Sequence, residues 1–188
     1  MDISDRAFAN IPPERVEEMS REDTIFHELS HSVHTLDEDK ESVKRLGRRP
    51  ETIIAEAAAE SISRGLAKGL IAKGRINYTP EQYIAVTIVM PLQVIKERDP
   101  DNEYFKAAVY VLDGMFERGI IEFNGSKIRV IDINAVFDYL EDNARKVISL
   151  YEDTEMTEQK AGKWVSGNCV AGQKLQELID FIKSGGVK

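Results

Sequence analysis

Apolar residues recur at helical spacing along most of this chain, and two stripes stand out. Ile25, Leu29 and Val33 are four residues apart, so they share one face of a helix predicted from about Arg21 to Thr35. Ser20 fits the N-cap of that helix, with Asp23 at N3. The expectation is that this stripe is buried and the opposite face is left open. A shorter helical stretch precedes it, opened by Pro12 and Pro13, with Val16 and Met19 on one face. The second stripe is Ile54, Ala58, Ile62, Leu66 and Leu70. It belongs to an Ala-rich helix expected to begin near Glu51 and end near Gly69 or Gly74. The polar run between the two helices, Leu36 to Pro50, reads as a loop with at most one helical turn.

Downstream, Thr79, Pro80 and Gln82 mark a helix start as N-cap, N1 and N3. Pro91 is expected to kink or end that helix. "DPDN" marks a turn, and a helix follows from about Glu103 to Arg118. The segment 120–131 is the clearest strand signal: two β-rich runs around Asn124-Gly125, a favoured two-residue hairpin turn. Helices are expected at about Asn134–Tyr151 and Gln173–Lys183. The Gly-rich "AGKWVSGNCVAG" between them reads as a loop. The result is a mainly α fold with one β-hairpin, divided into residues 1–75 and a helical region 79–188. In the second part, helix then hairpin is the order of a winged-helix unit. No internal repeat or low-complexity tract is present.

Composition narrows the function classes. The 188 residues suit one domain or a small domain with an appendage. A net charge of -8 argues against non-specific nucleic-acid binding, which needs clustered cations. Lys44, Arg45, Arg48 and Arg49 read as a solvated loop. In the hairpin, Lys127 and Arg129 face Glu122 and Asp132, which suits protein docking better than DNA. The single Cys169 cannot form an intrachain disulfide, which points to a reducing compartment. "MDISDRAFAN" has neither the basic nor the apolar part of a secretory signal. The longest apolar run, Tyr83 to Ile95, falls short of the roughly 20 residues that cross a bilayer. A cytoplasmic protein without a membrane span is expected.

The candidate chemistry lies in "TIFHELSHSVHT", Thr24 to Thr35, which holds all three histidines of the chain. His27 and His31 are one helical turn apart, so both imidazoles can reach one zinc ion. Glu28 lies about 100° round the helix from His27, where a carboxylate can take a proton from water activated by the metal. A third ligand is needed. Glu56 and Glu60 lie i, i+4 on the Ala-rich helix, whose small residues allow close helix approach. There Glu56 would bind the metal, and Glu60 would accept the free N–H of a histidine ligand. Two alternatives remain open. Asp37 completes an HExxHxxHxxD spacing, but His34 stands where that pattern wants a glycine to turn the chain. His34 itself points to the same broad face as His31. An i, i+4 histidine pair and an Ala/Glu run also fit plain polar helix faces.

"IPPERVEEMSREDTIFHELSHSVHT" followed by a basic loop and "ETIIAEAAAESI" resembles the zincin-like metallopeptidase domain of the ArdC antirestriction proteins. It is also similar to the ImmA/IrrE-type peptidases, which place Glu-Ala after the metal glutamate, as in Glu56-Ala57. The resemblance covers about residues 8–70. It implies a reduced zincin-like helical site with His27, His31 and Glu56 as ligands and Glu28 as catalytic base. Where the family continues Trp-Thr-Gly-His, this chain has Ser32-Val33-His34-Thr35. Only 26 residues precede His27, so the family's DNA-binding half is not expected.

The leading expectation is therefore a zinc metallopeptidase acting on a protein or peptide. The runner-up is a non-catalytic, zinc-stabilised interaction protein of a phage or mobile element that binds a host factor in an antirestriction-like role.

Overall fold

One helix organises the molecule. In the computed structural model, which describes residues 13–34 and 41–186, helix α3 (Arg48–Gly65) is buried along most of its length. Ala57, Ala58 and Ala59 are fully covered, as are Ile54 and Ser61. Alanine is the best helix former and leaves room on every side for another backbone. Three long helices use that room: α1 (Pro13–His34), α6 (Glu103–Glu117) and α7 (Ile133–Glu152) all pack on α3. Short helices α2 (Glu41–Leu46) and α4 (Ala67–Ala72) flank it. Helices α5 (Pro80–Glu97), α8 (Glu158–Asn168) and α9 (Gln173–Lys183) complete the shell, and β1 (Ile121–Phe123) pairs antiparallel with β2 (Ile128–Val130). The described part of the chain is thus mainly α with one hairpin, as the sequence pattern predicts.

A single connected core runs through the described residues, from Met19 and Ile54 through Leu112 and Met115 to Leu175 and Ile182. It crosses residue 75 without interruption, because α3 is itself the centre on which α6 and α7 rest. The end of α3 against α7 is especially close. A Cβ built on Gly65 would lie 3.2 Å from both Glu141 Cα and the Leu140 carbonyl oxygen. Only glycine lets the two backbones meet at that distance without displacing one.

Several elements differ from the sequence expectations for physical reasons. The first short helix and the histidine helix are one continuous helix, α1, so Ser20 is an interior residue and not a cap. Pro12 lies outside the described residues. The Ala-rich helix ends at Gly65 and α4 restarts at Ala67, which leaves Leu66 exposed. Helix α5 begins with the expected capping box but runs through Pro91 to Glu97. Burial of Ile84, Ile88 and Ile95 on both sides of the proline offsets a lost backbone bond and ring clash of about 3 kcal/mol. "AGKWVSGNCVAG" is largely helical as part of α8, started by Thr157, whose side chain accepts from Lys160 N. Two glycines lower its propensity by about 1 kcal/mol each, but Ala161 is fully buried and Trp164 packs 5.0 Å from Tyr110. In the hairpin, Asn124 N donates to the Lys127 carbonyl and Gly125 takes φ 87°. The two-residue loop is therefore Gly125-Ser126, one residue later than expected.

The close approach at Gly65 predicts that Gly65→Val forces α3 and α7 apart. Overpacking of this kind destabilises by about 1–3 kcal/mol, and a domain of this size loses about 2–4 °C of Tm per kcal/mol. A thermal melt showing an unchanged midpoint would contradict the packing described.

Candidate metal centre

Helix α1 turns its polar face inward. Asp23, His27 and Ser30 are buried beside Met19, while Ile25, Leu29 and Val33 are 51%, 58% and 58% exposed. This reverses the expected burial of that stripe. The inward face meets the Glu56–Glu60–Arg64 edge of α3, and the two helices pair residue by residue, one turn at a time. His31 lies opposite Glu56 (Nε2 to Oε2, 3.7 Å). His27 reaches both Glu56 (Nε2 to Oε2, 3.2 Å) and Glu60 (Nδ1 to Oε1, 3.2 Å). Asp23 meets Arg64 (Oδ2 to Nη2, 3.0 Å).

Three donor atoms converge at the centre of this ladder. The Nε2 atoms of His27 and His31 are 3.2 Å apart, and each faces Glu56 Oε2 at the distances just given. In a tetrahedral zinc site with bonds of about 2.0–2.1 Å, neighbouring donors sit about 3.3–3.4 Å apart. The spacing here matches that edge. The partnering matches too: Glu56 Oε2 is buried with no hydrogen-bond partner beyond the two imidazoles it faces, and the two histidine nitrogens point at each other. Burial pushes the Glu56 carboxyl up, but hydrogen bonds and charge from His27 and His31 outweigh it and hold the pKa at about 2. An ionised carboxylate facing two imidazole nitrogens is a suitable donor set for a borderline-soft divalent cation.

Of the sequence candidates, His27, His31 and Glu56 are brought together, and Glu60 stands behind His27. Glu28 is exposed on α1 beside them. Asp37 lies outside the described residues. His34 closes α1, and its side chain is outside them as well. Two residues beside the site escaped sequence reasoning. Arg64 and Asp23 form a buried ion pair one turn beyond Glu60 and His27. Their i+4 spacing from the motif residues was the available signal. Tyr104 stands in the first turn of α6, where Asn102 caps its backbone N–H. Its phenol holds its proton more tightly than usual, first because of the Glu56 charge, then through burial and through Glu103 and Glu28.

No family model and no curated protein matches this sequence. Among solved structures, the fold is similar to DPP III from Caldithrix abyssi, with a TM-score of 0.68 and 16% sequence identity. The similarity covers 89% of this chain and 32% of that one, so the chain spans about a third of that protein's length.

If the triad is a metal centre, zinc titrated into metal-free protein should bind at about one ion per chain. His31→Ala and Glu56→Ala should abolish binding. Glu60→Ala should weaken it by about 10–100-fold, the usual effect of losing a carboxylate behind a histidine ligand. Calorimetry showing no uptake by the wild type would remove the centre.

Proposed function

We propose that this chain is a zinc-dependent metallopeptidase in which His27, His31 and Glu56 hold the ion. The observation that carries this reading is the triangle of 3.2, 3.2 and 3.7 Å between their donor atoms, with Glu56 Oε2 otherwise unpartnered. The fold likeness to DPP III supports the architecture. Zinc, when bound, supplies Lewis acidity toward a peptide carbonyl and lowers the pKa of a water to about 7.

The protein's own residues supply the rest. Glu60 sits against His27 Nδ1, so that Nε2 is left to face the metal position. Glu28, exposed one residue along α1, takes the proton of the attacking water and returns it to the leaving amine. The histidines and Glu56 are largely buried, whereas Glu28 and Tyr104 are open to solvent. A substrate would therefore approach from the Glu28 side.

A second reading, a zinc-stabilised interaction protein without catalysis, is favoured by the exposed Ile25–Leu29–Val33 stripe next to Glu28. One substitution separates the two readings. Glu28→Gln should keep stoichiometric zinc and lower peptide hydrolysis by about 100-fold or more, the usual contribution of a positioned general base. Absence of peptide-library hydrolysis in the wild type favours the binding reading, whereas hydrolysis unchanged in Glu28→Gln removes Glu28 as the base.

A further inference from the structure

The outermost rung of the α1–α3 ladder contains no metal donor, yet it is the most deeply buried. Arg64 is 1% exposed and Asp23 is 5% exposed. Arg64 is among the largest side chains that are fully covered. It pairs with Asp23 on α1 at 3.0 Å, with the Glu60 carboxylate one turn back on its own helix, and with the Glu60 carbonyl oxygen at 3.2 Å.

Stability alone does not account for such an arrangement. A buried ion pair seldom repays the desolvation of its charges, and well-packed apolar side chains often replace one at equal or better stability. The surroundings would admit them: Met19, Ile62 and Tyr83 are all buried core residues nearby in the α1–α3–α5 contact. A guanidinium gives direction instead. Its planar fork holds two carboxylates at fixed angles, which a flexible ammonium does not. Here one of the two carboxylates is Glu60, which approaches His27 Nδ1 to 3.2 Å with its other oxygen.

We infer that Arg64, anchored by Asp23, is a positioning residue for the metal centre. It clamps one oxygen of Glu60 so that the other faces His27 Nδ1, and this orients the imidazole with Nε2 toward the ion. The inference rests on the metal-centre reading above and adds two residues to it. The clamp spans both helices. Asp23 fixes Arg64 to α1 one turn before His27, while Arg64 fixes Glu60 on α3, so the histidine and its carboxylate are set by the same cross-link.

The test is a double-mutant cycle on zinc affinity, measured by competition with a chromophoric chelator. Each variant is first shown to be folded without metal by circular dichroism. Arg64→Lys keeps the charge and loses the fork. Its zinc Kd should rise by about 10-fold, the lower end of the range for groups behind a metal ligand. In a Glu60→Gln background the same change should alter the Kd by less than about 2-fold, because the group through which Arg64 acts is already altered. Asp23→Asn should behave in the same way, and it carries the test if Arg64→Lys does not fold. A purely structural ion pair would shift the melting midpoint and leave the Kd of the folded protein unchanged in both backgrounds. That result, or an equal loss with and without Glu60, overturns the inference. A wild type that takes up no zinc overturns the metal-centre reading and the inference together. Normal wild-type uptake with an unaltered Arg64→Lys overturns the inference alone.

Discussion

The antiparallel contact between α1 and α3 is the constraint on which the rest depends. Two helices can present donors to one ion only if their backbones come close and their turns stay in step. The alanines of α3 allow the first condition, and the i+4 spacing on both helices meets the second. Asp23, His27 and His31 step along one helix while Arg64, Glu60 and Glu56 step back along the other. The remaining helices hold α3 in place: α6 and α7 cover its other faces, and Gly65 allows the approach of α7 at its end.

This contact is unusual in what it buries. An amphipathic surface helix normally turns its apolar stripe inward. Helix α1 does the opposite below its N-terminal turns and leaves Ile25, Leu29 and Val33 facing out. Its inward face is held by ion pairs and histidine contacts around Phe26 and Met19. Charges placed there interact in a poorly solvated setting, where each pairing is stronger than at the surface and each unpaired group is more costly. The shift of Glu56 to about 2 despite its burial shows which effect wins at that position.

Much of the site could be read from spacing, because helix periodicity places His27 and His31 on one face of their helix and Glu56 and Glu60 on one face of theirs. The same rule could not tell which side of α1 is inside. Hydrophobicity pointed to the Ile25 stripe, and the tertiary pairing with Glu56, Glu60 and Arg64 reversed it. Arg64 and Asp23 stayed hidden for a related reason: a charged residue on a helix reads as solvated until a partner on a distant segment is known. Helix α8 was missed because Gly162 and Gly167 dominate its local propensity, whereas its Thr157 cap and the packing of Trp164 decide its state. The continuity of α5 through Pro91 has the same origin, since burial on both sides outweighs a local breaker.

The burial of α3 on nearly all sides has a mechanical consequence. Glu56 is not carried by a loop that can adjust; it is mounted on a rod packed against α1, α6 and α7 at once. The distance between His27 or His31 and Glu56 therefore reports the spacing of whole helices. A methyl group added to Ala57, Ala58 or Ala59 would be felt as a displacement of donor atoms, even where it touches none of them. The donor triangle acts as a strain gauge for the core, and its dimensions are a reading of how tightly the core is closed.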